Sequence, residues 1–288
     1  MNLFDKLVQE ALKNHPELNI LKHVVEKELL QHDILRILSS CDFLKDLTFI
    51  GGTCLRLCYG GIRLSEDLDF TGGINFSRAN LTDMGKILID RLSEKYGLKI
   101  QVSEPIQDKL DVDTWKVKIE TNPGSKHLPV QRINIDICSI SSYEKKPTMI
   151  VNPYNIDMGT STLIIFAQSQ EEIFADKLIA FALRPSRIKY RDLWDIMWLK
   201  SKAIEPRISL IPLKLKERKI QTDNFLSLFQ ERLAILKDNP SIEVEFNQEM
   251  MRFLPKNHYN NLKSQKLYWL CLQESFFEFF EKIGKVLK

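Results

Sequence analysis

Residues 51–70 read GGTCLRLCYGGIRLSEDLDF. The short apolar run Leu47 to Ile50 ends at Gly51 and Gly52, and Thr53 to Tyr59 then keeps helical spacing until Gly60 and Gly61. Leu64 to Phe70 alternates as a strand does, so the unit is strand, glycine turn, helix, strand. Two glycines after a strand let the backbone turn sharply and approach a ligand closely. The helix start beyond them offers unpaired N–H groups to an anion, and Thr53 adds a hydroxyl. Alone, such a turn is common. Joined to a pair of acids it is far more specific: Asp67 and Asp69 lie two residues apart, on one face of a strand and about 6.6 Å from each other, while Leu68 and Phe70 point the other way. Two such carboxylates repel unless a cation sits between them, and hard oxygen ligands suit Mg²⁺ or Mn²⁺ carrying a nucleotide's phosphates.

Outward from this stretch the chain divides in two. Residues 1–45 read as helix, with Val24, Val25, Leu29, Leu30, Ile34, Leu35, Ile37 and Leu38 at helical spacing, and residues 77–96 repeat that pattern through Leu81, Met84, Ile87, Leu88 and Leu92. Trp115, Val117 and Ile119 alternate with polar neighbours, as do Ile133, Ile135 and Ile137, with Pro123, Gly124 and Pro129 turning the chain between them. A loop from Pro147 to Asp157 leads to a continuous helical half beginning near Ser169. The expected fold class is therefore α+β: a mixed-sheet domain with flanking helices over residues 1–165, then an all-helical domain over residues 166–288. Trp269, Phe276, Phe277, Phe279 and Phe280 are expected in the core of the latter.

A third acid would complete a metal site or activate an attacking hydroxyl. Asp136 is the candidate, since it alternates with Ile135 and Ile137 on a strand whose other face is apolar; Glu120 is second, coming after the Lys116 and Lys118 face. Lys177 projects from an apolar helix face made by Ile173, Ala180 and Phe181, so it needs an anionic partner. Asp192 and Asp195 share one helix side and could bind it, orient it or contact a base or sugar, while an Arg191–Asp195 pair is the plainer reading.

The 288 residues are 44% hydrophobic and 27% charged, the composition of an ordinary folded protein, which excludes collagen-like and wholly disordered classes. No apolar stretch is long enough to span a bilayer and the charged start is unlike a secretory signal, so a cytoplasmic protein with no membrane partner is expected. Five cysteines without a C-x-x-C pair and five scattered histidines exclude a disulfide framework and make zinc a poor fit. Net charge is only +3, yet residues 177–219 hold twelve Lys or Arg against four Asp or Glu. Within that segment Arg184, Arg187, Lys189, Arg191, Lys214 and Lys216 are the expected contacts to an RNA backbone. Tyr190, Trp194 and Trp198 could stack on bases, although at helical spacing they fit a core better.

Phe49-Ile50-Gly51-Gly52-Thr53, then Arg63 to Phe70, then Glu172-Ile173-Phe174-Ala175-Asp176-Lys177-Leu178 and Arg191-Asp192-Leu193-Trp194-Asp195-Ile196, in this order, resemble the AbiEii/AbiGii toxin family of nucleotidyltransferases, within the polymerase beta-like superfamily. Thr53 stands where the wider superfamily usually has serine. The resemblance implies transfer of an NMP from an NTP, by the toxin of a toxin–antitoxin pair, to an acceptor such as a tRNA 3′ end, with a cognate antitoxin as partner. It implies Mg²⁺ or Mn²⁺ on Asp67, Asp69 and Asp136, nucleotide contacts from Gly51, Gly52, Thr53, Ser65, Lys177 and Asp195, and catalytic roles for Lys177 and Asp192. A protein hydroxyl as acceptor, or a catalytically silent nucleotide- or RNA-binding module, are the alternatives.

Overall fold

The structure, a computed structural model, describes residues 2–105, 112–121, 130–185 and 187–287. The chain falls into two units, Met1–Gln168 and Ser169–Lys288. The first opens with α1 (Leu3–Asn14), started by an Asn2–Asp5 capping box, and α2 (Lys22–Ser40). Then come β1 (Thr48–Ile50), α3 (Gly51–Tyr59), β2 (Leu68–Thr71), α4 (Met84–Tyr96), β3 (Ile100–Ser103), β4 (Val112–Ile119), β5 (Gln131–Cys138), β6 (Lys145–Met149) and β7 (Ile164–Gln168). The strands form one mixed sheet in the order β3-β4-β5-β2-β1-β7-β6. Phe49, Leu68, Phe70, Trp115, Val117, Ile119, Ile133, Ile135 and Ile137 are buried on one face of it, where α2 packs on β5 and α4 on β3. Alternation along each strand leaves Asp69, Thr114, Asn134 and Asp136 on the other face.

β3, β6 and β7 are strands that the periodicity did not predict. Pro147, expected in a loop, lies in β6, an edge strand of the sheet, where a missing N–H is tolerated. β2 begins only at Leu68, later than the predicted Leu64, because its first ladder pair is Leu68–Ile135 with β5. The turn expected at Pro123, Gly124 and Pro129 lies outside the described residues.

The segment before β2 is irregular but fully tied down, and α2 ties it. Glu28, with no exposed side-chain surface, takes both Nε and Nη2 of Arg56 on α3 at 3.2 Å. The same carboxylate accepts the Ser65 N–H at 2.8 Å and the hydroxyl of Tyr154, while Arg56 Nη1 donates to Gly61 O at 2.9 Å. Lys27 pairs with Glu66 at 2.6 Å. Burial, then the Glu28 charge, pushes the Tyr154 phenol well above its ordinary pKa, so it stays a hydrogen-bond donor.

The second unit contains α5 (Gln170–Leu183), α6 (Tyr190–Ser201), α7 (Ile211–Glu217), α8 (Thr222–Asp238), α9 (Ser241–Met250), α10 (Lys256–Ser264) and α11 (Tyr268–Leu287). Its core is aromatic: Phe181 meets Phe229 and Phe276 at 5.0 and 4.6 Å between ring centroids, and Phe174 meets Phe279 at 5.2 Å. Phe276 and Phe279 are buried as expected, whereas Phe277, one position round the same helix, is exposed and Trp269 half-exposed. Among the described residues no helix is long and apolar enough to cross a membrane.

Glu28→Ala is expected to lower the unfolding free energy by about 3–5 kcal/mol, because it strands the buried Arg56 charge. Glu28→Leu with Arg56→Leu should recover only part of this, since the Ser65 N–H and the Tyr154 hydroxyl still lack their acceptor. Chemical denaturation of the three proteins checks both statements.

Candidate active site

Two carboxylates, Asp69 and Asp136, stand side by side on one face of the sheet, and Asp67 lies one residue ahead of β2. In the parallel β2–β5 ladder Asp69 is the register partner of Asp136, so neighbouring strands present the two side by side. Asp67 precedes β2 by one residue, and its Oδ1 accepts the backbone N–H of Asn134 at 3.0 Å. Thr114, opposite Asp136 across the β4–β5 ladder, donates its hydroxyl to Asp136 Oδ1 at 2.6 Å. Asp67 and Asp136 are thus each aimed by a neighbour on the sheet, and all three acids are half-buried.

The glycine turn stands directly beside them. Gly51 has φ +77°, in the left-handed region that favours glycine, and a Cβ built on it would sit 2.6 Å from Asp69 Oδ2. Close packing of the acid against the turn therefore requires both the conformation and the missing side chain. α3 begins here with no side-chain cap at Ile50, so its first amides lack that usual acceptor. Thr53 is wholly buried, and its hydroxyl is engaged with Ser65 Oγ at 2.6 Å and with the Asp67 carbonyl. The structure places Thr53 and Ser65 inside the turn, where their hydroxyls bond each other and Thr53 holds the approach to Asp67. Glu120, the second choice for a third acid, pairs with Lys99 at 2.8 Å. It follows the last residue of β4, six residues from Thr114 and about 20 Å from it. Among the described residues no group of three or more His, Cys, Asp or Glu side chains is drawn together as a ready metal cage.

In the helical unit Lys177 of α5 is nearly buried, with its ammonium 2.8 Å from both Asp192 Oδ1 and Asp195 Oδ2 of α6. Arg184 Nη2 holds the second Asp192 oxygen at 3.1 Å. Burial pushes the Asp192 carboxyl up, but Lys177, then Lys189 and Arg184, outweigh it and hold it well below the usual range. The stability this cluster gives is complete above the unfolded carboxylate pKa of about 3.9 and is lost as pH falls through the depressed value. The expected trio of Lys177, Asp192 and Asp195 is therefore brought together, and Arg184 completes a cluster of two cations and two carboxylates. Arg191 is paired with Glu249 at 3.0 Å and stacked over Phe253.

The expected RNA contacts fare unevenly. Lys214 is 1% exposed, locked between Glu172 at 2.6 Å and Asp176 at 2.8 Å, and so cannot reach a polymer at the surface. Arg184 and Arg191 are already paired, whereas Arg187 and Lys216 are exposed and Lys189 half-buried. Tyr190 and Trp198 are buried, as core residues are.

What sequence reasoning missed is the holding network. Glu28, Arg56, Tyr154 and Thr114 carry no motif of their own. One signal existed: Glu28 sits four residues after Val24 and seven before Leu35, on the apolar stripe of its helix, where a carboxylate is unexpected.

The fold has solved counterparts. JHP933 from Helicobacter pylori superposes with a TM-score of 0.50 at 19% identity, covering 92% of this chain and 96% of its own. MenT4, a nucleotidyltransferase toxin from Mycobacterium tuberculosis, gives a TM-score of 0.53 at 16% identity over 99% of this chain and 92% of its own. Such identities speak for the fold. No curated protein matches. The profile of a family described as nucleotidyl transferase AbiEii toxin, type IV toxin–antitoxin system, matches residues 33–280, a span that takes in the glycine turn, the three sheet carboxylates and the lysine–aspartate cluster. The chain belongs to the AbiEii nucleotidyltransferase toxin family and is a nucleotidyltransferase.

Proposed function

We propose that this enzyme transfers an NMP from an NTP to a hydroxyl of RNA, such as a tRNA 3′ end, with Mg²⁺ held by Asp67, Asp69 and Asp136. The observation that carries the reading is the register that sets Asp69 beside Asp136 and against Gly51. It joins an anion-cradling turn to hard oxygen donors within one residue step. Mg²⁺ is typically held by one or two carboxylates together with substrate phosphates, not by an all-protein cage. An all-oxygen donor set on an open face fits that habit. When bound, the metal supplies neutralising charge to the phosphates in transfer.

The chain's own residues do the rest. The first amides of α3, at Gly52 and Thr53, donate to the triphosphate, and Gly51 keeps the Asp69 carboxylate close to it. The acceptor hydroxyl oxygen forms a bond to the α-phosphorus, the bond from that phosphorus to the bridging oxygen breaks, and pyrophosphate leaves. The hydroxyl proton passes to Asp136, which Thr114 holds in place. Lys177, Asp192 and Asp195 are read as a second polar centre, in which a nucleotide phosphate would compete with two carboxylates for the ammonium. A toxin of this kind has a cognate antitoxin and arrests growth when expressed without it, which a plate assay measures directly.

Asp67→Asn and Asp69→Asn are each expected to cut labelling of tRNA from radiolabelled NTP by orders of magnitude, with an unchanged melting temperature. Wild-type rates in both variants, or in a chelator, would overturn the metal assignment, and labelling confined to protein would overturn the RNA acceptor.

Lys177→Ala is expected to destabilise the enzyme by about 3–5 kcal/mol, because two nearly buried carboxylates lose their shared ammonium. Thermal melting and titration calorimetry with NTP together decide the role. Unchanged melting with weakened NTP binding would assign the ammonium to a phosphate.

A further inference from the structure

The open sheet face continues past the carboxylates towards β4 and β3, and there its charge changes sign. Lys116 comes one strand period after Thr114 and Lys118 two, so both share the face of Asp136. Arg132, two periods before Asp136 on β5, shares it as well. Lys118 and Arg132 are direct partners across the antiparallel ladder. Like charges set opposite each other in a sheet destabilise it. Lys116 and Arg132 are exposed, Lys118 half-buried, and none of the three is in an ion pair with a described residue. Glu120, just past the end of β4, is taken by Lys99.

Three cations with no ion-pair partner among the described residues, on strands that otherwise pair well, are the arrangement of a surface that meets an anion. The row starts about 6.6 Å from the level of Asp136 and reaches about 13 Å from it, in one direction along the strands. A ligand neutralising all three therefore has repeated negative charge and runs up to the carboxylates. The neighbouring face positions on the strands are short or uncharged, namely Asn134, Gln101 and Ser103. The basic segment of residues 177–219 offers less than its charge suggests, since Lys177, Arg184, Arg191, Lys200, Lys214 and Arg218 are all paired within the helical unit.

We propose that Lys116, Lys118 and Arg132 form a phosphate track along which the strand of the RNA acceptor lies as its end reaches Asp136. This rests on the RNA reading of the acceptor and adds where the polymer runs. Contacts of this kind hold the backbone without reading sequence, and each phosphate neutralised makes binding more sensitive to salt.

The test compares the full-length wild type with Lys116→Gln/Lys118→Gln/Arg132→Gln, using total tRNA as probe. Binding is measured over a range of salt concentrations, with NTP affinity and melting temperature measured in parallel. The variant should bind and label tRNA more weakly, its log K against log salt should flatten by about 2 for three contacts to a single strand, and NTP affinity should stay as in the wild type. Melting should hold or rise as the opposed charges go. Weakened NTP affinity with tRNA binding intact would overturn the proposal and give these cations to the triphosphate. Unchanged tRNA binding and salt slope would overturn it outright. A wild type that neither binds nor labels tRNA would remove the RNA reading beneath it, a result visible before the variant is made.

Discussion

A single carboxylate buried in the first unit holds the site together. Glu28 reaches from α2 to a guanidinium on α3, a backbone amide just ahead of the paired aspartates and a phenol from the far end of the unit. Burying a carboxylate is expensive unless it is paired and its remaining lone pairs are filled, and here four donor groups fill them. The result is that an irregular stretch, residues 60–67, has no freedom to drift. Thr53 and Ser65 complete the clamp from the turn side. A strand in that place would have been held by its ladder; this segment has none and depends on side chains.

That distinction explains how much of the molecule was legible in the sequence. Strand β4 and strand β5 announce themselves by alternating apolar and polar residues, because one face is dry and the other wet. Period two likewise puts Asp136 on the wet face of β5 and Asp69 on that of β2, whereas Asp67, one residue ahead of the strand, is aimed by the Asn134 N–H. β7 was not legible, because Ile164 and Phe166 are exposed while Ile165 and Ala167 are buried, so its apolar residues do not alternate with polar ones. The hydroxyls of Thr53 and Ser65 illustrate a second limit. Sequence offers the hydroxyl, and only the fold shows whether it faces outward or is used up internally.

The charge pattern behaves the same way in the helical unit. Counting residues 177–219 suggests a strongly basic surface. Yet Lys214 is buried against two acids of α5, Glu172 and Asp176, which lie just upstream of the counted window. Net charge over a window is a surface property only when the partners lie inside the window too. Lysine–carboxylate clusters of this kind fix helices to one another, with α5 tied to α6 through Lys177 and to α7 through Lys214.

The order of strands bears on when such a protein can first act during its own synthesis. β1, which leads into the glycine turn, lies between β2 and β7, and β7 ends at Gln168. A nascent chain that has released only the glycine turn and the aspartates therefore has an open edge beside β1 and cannot close its sheet. Such long-range pairing is slow to form, and domains emerging from the ribosome fold as units. That topology makes the glycine turn and its acids depend on residues far along the chain, since β1 and β2 gain their outer neighbours only when β7 (Ile164–Gln168) and β5 (Gln131–Cys138) have been added.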